Sequence, residues 1–124
     1  MTRITLIRHG ESQVTVNKVV GGPRSCVGLS AFGRRQAERL RDRWNAHPEV
    51  AVDAVYSSAY PRARETGEIV LPSLAGHSLS IDPDFGEHDP GPDCDGLTYE
   101  EFDRRYGNPD WENDPYGITF PGGE

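Results

Sequence analysis

Cysteine is scarce in this chain. Cys26 and Cys94 are the only two among 124 residues and neither sits in a C-x-x-C pair, which speaks against a disulfide framework or a zinc knuckle and suits a reducing compartment. Long apolar runs are missing as well: no stretch approaches the roughly 18 residues of a membrane span. Met1 leads straight into Ile4-Thr5-Leu6-Ile7 without a signal-peptide core, so the expectation is a soluble, cytoplasmic protein with no membrane partner. Positive charge is in deficit, with 13 Lys plus Arg against 20 Asp plus Glu for a net charge of -7. That is the wrong sign for a phosphate-backbone footprint and excludes general nucleic-acid binding. There is no G-x-G-x-x-G, no G-x-x-x-x-G-K-[ST] and no EF-hand order of acids, so dinucleotide, ATP and calcium sites have no motif support. Hydrophobic residues make up 35% of the chain, enough for one thin core in a single domain over 1–124.

What is present is unevenly spread. Residues 1–81 hold eleven basic and seven acidic side chains, whereas 82–124 hold two basic and thirteen acidic ones together with thirteen of the twenty-four Gly and Pro. The second stretch therefore reads as an acidic, loop-rich segment with one short helix, forming a solvated cover over one edge of the first.

In the first stretch, Ile4 to Ile7 has adjacent apolar residues, as a strand buried on both faces does. Ser30 can cap a helix from about Ala31 to Trp44, with Phe32, Ala37, Leu40 and Trp44 near helical spacing. Val50 to Tyr56 reads as a second strand, and a helix from about Tyr60 to Leu71 follows, with Pro61 in its first turn. Ser78 to Ile81 is a candidate third strand. Thr98 to Tyr106 is a short helix with acids in its first turn and Arg104 and Arg105 in its last, the order the helix dipole favours. Strand, helix, strand, helix implies an α/β fold with a parallel sheet.

Arg8-His9-Gly10-Glu11 then falls at the carboxyl end of the first strand, where such folds place ligands. Ser57-Ser58 and the basic pair Arg62 and Arg64 follow the second strand in the same way. Helix N-termini and Arg forks both suit phosphate oxygens. The plainer reading makes Arg62 and Arg64 a solvated helix face paired with Glu65 and Glu68, and His9 a polar loop residue.

Taken in order, these segments resemble the histidine phosphatase superfamily, the phosphoglycerate mutase-like family. Leu6-Ile7-Arg8-His9-Gly10-Glu11-Ser12 is similar to its signature. Leu29 to Ala37 is similar to its L-[ST]-x-x-G-x-x-Q-A helix, and Ser57 to Thr66 to its S-S-x-x-x-R-A-x-[QE]-T segment. Glu87, Gly96-Leu97-Thr98 and Pro121-Gly122-Gly123-Glu124 are similar to its later elements. The resemblance implies a three-layer α/β/α fold with a mainly parallel sheet, and a histidine-type acid phosphatase or mutase-like hydrolase needing no metal or cofactor. It implies a nucleophilic His9 that becomes phosphohistidine, Arg8 and Arg62 as catalytic and binding cations, and Glu87 as general acid. Gly10, Ser12, Thr15 and Asn17 would line the phosphate pocket, and either Thr15 or Asn17 fills the family's Asn position. Asp84, Asp89, Asp93 and Asp95 would surround Glu87 with like charge.

The family's domain normally continues past this point to a strand ending in a second active-site His, so the resemblance is incomplete at the C-terminus. His47, His77 and His88 do not match that strand, and His88 is the nearest stand-in. Three accounts stay open: a fragment of a longer protein, a truncated product that completes its sheet by pairing with another copy as a homodimer, or an inactive phosphate-binding module. Mutases of this family carry Arg, Tyr and Lys after the general acid. Here the stretch from His88 to Asp95 has none of them, which points to a phosphomonoesterase on a small, less charged phosphorylated metabolite, with mutase-type transfer as the alternative.

Overall fold

In the computed structural model, which describes every residue except Trp111, Pro115, Tyr116 and Ile118, four helices and a pair of parallel strands form an α/β arrangement. The helices are α1 (Gln13–Val16), α2 (Ala31–Ala46), α3 (Pro61–Val70) and α4 (Tyr99–Tyr106), and the strands are β1 (Val55–Ser57) and β2 (Leu79–Ile81). Helix α2 begins where Ser30 accepts a hydrogen bond from Gly33 N, and α4 begins with a full capping box between Thr98 and Glu101. Pro61 opens α3, where its missing N–H costs nothing. The helix predicted from Thr98 thus forms with the charge order read from sequence, and α2 runs two residues past Trp44. Helix α1 is too short to carry a periodicity signal and forms because Ser12 caps it.

Strands β1 and β2 pair in parallel, with Val55 opposite Leu79 and Ser57 opposite Ile81. The predicted third strand is therefore the partner of the second. The core lies where α2, α3 and the turn after α3 meet: Leu29, Ala37, Trp44, Val70 and Leu74 are buried, with Leu40, Val50, Val52, Val55 and Ile69 packed against them. Burial of each large apolar side chain is worth about 1.5–3 kcal/mol.

Two expectations change: the strand read over Val50 to Tyr56 is confined to Val55–Ser57, and the first strand does not form among the described residues. Ile4 to Ile7 forms no ladder with any described residue, and Ile4 and Leu6 are 77% and 90% exposed. A strand exists only through its neighbours, and no described residue pairs with this run. The acidic segment is hydrogen-bonded to the first stretch. Val20 N donates to Leu97 O, Gly96 N to Val20 O and Tyr99 N to Lys18 O, at 2.8–2.9 Å. Phe102, 4% exposed, packs against Tyr106 of its own helix and anchors α4 to the ring of Phe120. No helix among the described residues is long and apolar enough to cross a membrane.

Candidate active site

The loop from His9 to Ser12 is gripped on both sides by helices. Gly10 N donates to Thr66 Oγ1 at 3.2 Å, and the Thr66 hydroxyl donates back to Arg62 O at 2.8 Å, so one side chain ties the loop to α3. On the α2 side, Glu11 N donates to Gln36 Oε1 at 2.8 Å, and the Ser30 hydroxyl donates to Glu11 Oε1 at 2.6 Å. Gly10 must lack a side chain: a Cβ there would stand 2.5 Å from Gly33 O. Position 33 carries the same demand, because its Cβ would strike Glu11 O. The glycines of the two sequence motifs are thus explained by one close approach of loop to helix. A cavity of about 150 Å³ lies along this seam, lined by Ile7 to Gly10, Gln36, Ala37, Leu40 and Thr66. Neither Arg62 nor Glu87 lines it.

His9 is half-buried, and its Nδ1 lies 2.7 Å from Gly10 O. A carbonyl oxygen can only accept, so Nδ1 carries the proton and Nε2 keeps a free lone pair. Burial holds the imidazole below its ordinary pKa of 6.5, opposed by the hydrogen bond to Gly10. The charges of Arg62 and Arg8 push the same way as burial, and Glu87 opposes them. Arg8, Arg62 and Glu87 therefore all lie within electrostatic reach of His9.

Arg62 is 7% exposed. Its Nη1 donates to Gly21 O at 2.9 Å, and its guanidinium carbon sits 4.5 Å from the centre of the Tyr60 ring. Among the described residues no carboxylate pairs with it, whereas the neighbouring Arg64 makes the ordinary i,i+4 surface pair with Glu68 at 2.7 Å. The solvated-face reading thus holds for Arg64 and fails for Arg62. A buried cation satisfied by a carbonyl and a ring keeps its charge uncompensated, and an anion is the natural partner.

Ser12 caps α1, Thr15 lies within it and Asn17 closes it. Ser12, 1% exposed, caps the helix through Thr15 N and lies 2.9 Å from Thr15 Oγ1. Asn17 Oδ1 accepts from Gln13 Nε2. Glu87 is exposed, and its Oε1 accepts from His88 N. Two of the four acids expected to crowd it are engaged elsewhere: Asp89 pairs with Arg24 at 3.0 Å, and Asp95 turns into the Gly22–Ser25 loop.

Asp95, read from sequence only as one of the acids around Glu87, has a different place in the structure. Its side chain is fully buried, accepting from Gly22 N at 3.0 Å, Arg24 N at 2.7 Å, Ser25 N at 3.2 Å and the Ser25 hydroxyl. Burial alone would raise its pKa, but these donors outweigh it and hold the carboxyl below its ordinary value. The loop so fixed carries Gly21, whose carbonyl receives Arg62. The sequence signal was an acid beside Gly96-Leu97-Thr98, and nothing local links it to residues seventy positions earlier.

Comparison with known proteins agrees with this geometry. The family model described as histidine phosphatase superfamily (branch 1) matches residues 4–124. The Bacillus subtilis protein named "Uncharacterized phosphatase PhoE" is 33% identical over 106 residues, covering 86% of this chain and 52% of that protein. A 2,3-bisphosphoglycerate-dependent phosphoglycerate mutase from Parvibaculum lavamentivorans is 32% identical over 126 positions, covering 98% of this chain and 58% of that protein. The crystal structure of the alpha-ribazole phosphatase from Shigella flexneri superposes with a TM-score of 0.75 at 28% identity, covering 95% of this chain and 56% of that one. The chain thus spans about half the length of these relatives. The likeness to the Shigella structure, with the parallel strand pair, bears out the α/β, mainly parallel, phosphoglycerate mutase-like fold class.

Proposed function

The chain belongs to the histidine phosphatase superfamily, and on that premise we propose that it takes part in hydrolysing a small phosphorylated metabolite through a phosphohistidine on His9. The observation that carries this reading is the buried Arg62, free of any carboxylate partner among the described residues, acting beside an imidazole whose Nδ1–H is fixed and whose Nε2 is free.

In the first step the Nε2 lone pair attacks phosphorus and the bond from phosphorus to the ester oxygen breaks. Glu87, entering as the carboxylic acid, gives its proton to the departing oxygen. In the second step water attacks the phosphohistidine, the P–N bond breaks, the Glu87 carboxylate takes the water's proton, and inorganic phosphate leaves. Arg8 and Arg62 hold the non-bridging oxygens throughout, so catalysis is chiefly positioning and electrostatic stabilisation. The loop after Glu87, from His88 to Asp95, carries three acids and no Arg, Tyr or Lys. A substrate with a second anionic end would be repelled there, which favours a phosphomonoesterase over the mutase activity named for some relatives.

Turnover of an aryl phosphate by the chain and by His9→Ala tests the proposal. A loss of at least about a thousandfold is expected for the variant. In the parent, kcat/KM should fall on acidification only below pH 6.5, because burial and the two arginines hold the His9 pKa under that value and its free base persists to lower pH. Equal turnover by both proteins would refute the nucleophile, and conversion of one phosphoglycerate to another without phosphate release would favour the mutase.

A further inference from the structure

The S-S-x-x-x-R segment leaves the position two before its arginine free, and Tyr60 occupies it. The residue is 7% exposed and touches two functional elements at once. Its ring lies under the Arg62 guanidinium at 4.5 Å, a stacking that supplies attraction without neutralising the cation. Its hydroxyl reaches across twenty-eight positions of sequence and donates to His88 O at 3.0 Å. The backbone at Gly86 rests on the same ring, since a Cβ built there would stand 3.4 Å from Tyr60 Cε2. Glu87 is therefore flanked on both sides by residues that contact one tyrosine. The further anchors of this loop act beyond that point: Asp89 pairs with Arg24 and exchanges hydrogen bonds with Glu124.

We infer that Tyr60 is a positioning residue that sets Glu87 and Arg62 in register around His9, its hydroxyl serving the acid and its ring serving the phosphate-binding cation. The inference rests on the roles proposed above for those three residues. It divides the side chain into two separable parts. Removing only the hydroxyl frees the Glu87 loop while Arg62 stays stacked, and removing the ring also releases Arg62 from one of its two supports. Burial raises the phenol pKa above 10.0 against the pull of Arg62, so the hydroxyl is a donor across the working pH range.

The test needs no turnover. The His9 ring is titrated by NMR in the parent chain, Tyr60→Phe, Glu87→Gln and the double variant, and inorganic phosphate affinity is measured for the parent, Tyr60→Phe and Tyr60→Leu. The charges acting on His9 are Arg62, Arg8 and Glu87, so loss of the Glu87 charge lowers the His9 midpoint. Tyr60→Phe is expected to lower it in the same direction by displacing Glu87, to add nothing to Glu87→Gln in the double variant, and to leave phosphate affinity within about twofold. Tyr60→Leu is expected to weaken phosphate binding about tenfold, and Tyr60→Met replaces it if the leucine variant does not fold. An unchanged His9 midpoint in Tyr60→Phe where Glu87→Gln shifts it overturns the hydroxyl's role, and parent-like phosphate affinity in the folded ring-less variant overturns the ring's role. If Glu87→Gln itself moves nothing and the parent binds no phosphate, the underlying phosphatase reading has failed, and the inference with it.

Discussion

Arg62→Ala should reduce kcat/KM for an aryl phosphate about a thousandfold and abolish measurable binding of phosphate or vanadate, with the fold retained. The size follows from the removal of a fixed, partly desolvated cation aimed at developing charge, where one lost donor already costs a factor of about a hundred to a thousand. Arg62 is held without a carboxylate, so its charge is fully available to a ligand. Arg62→Lys keeps the charge but loses the planar fork and the stacking face, and should recover only part of the lost affinity. Calorimetric titration with phosphate, beside thermal unfolding to confirm the fold, provides the check. Phosphate binding of parental strength in Arg62→Ala would remove the anion site from the account.

Asp95→Ala should destabilise the protein by about 3 kcal/mol at neutral pH and weaken phosphate binding as a secondary effect. Three backbone N–H groups and a hydroxyl converge on this buried carboxylate, and leaving buried donors unpaired costs roughly 1–3 kcal/mol for each group that water cannot reach. The secondary effect arises because the same loop presents Gly21 O to Arg62. The pH dependence has a definite sign. The folded pKa of Asp95 is depressed, so its stabilisation is fully present above the unfolded value, about 3.9, and is lost as pH falls through the folded value. Urea unfolding should show the largest gap between parent and variant near pH 7 and a shrinking gap below about pH 4. A gap that is constant with pH would mean that the charge of Asp95 does no stabilising work.

The sequence made the local features legible. Ser30 and Thr98 announced α2 and α4 because a cap is a contact over three residues, and Pro61 marked the start of α3 because its fixed φ and missing N–H suit the first turn. The Arg8-His9 pair and Arg62 were read through motif order, and in the structure Arg8, Arg62 and Glu87 all act electrostatically on His9. What stayed hidden depends on distance along the chain. Nothing near Asp95 points to Ser25, and nothing near Tyr60 points to His88. Burial was equally illegible at Ile4 to Ile7, where an apolar run read as a core strand but lies exposed, since periodicity reports what a segment could pair with and not whether a partner is there.

The central claim is that His9 carries the phosphoryl group. Mixing the chain with an aryl phosphate, quenching in denaturing base and sequencing the proteolytic peptides by tandem mass spectrometry tests this most directly. The account predicts a phosphoryl group on Nε2 of His9, base-stable and acid-labile, and its disappearance in His9→Gln. Phosphoryl transfer to another residue such as Ser12, or turnover with His9 never modified, would contradict it.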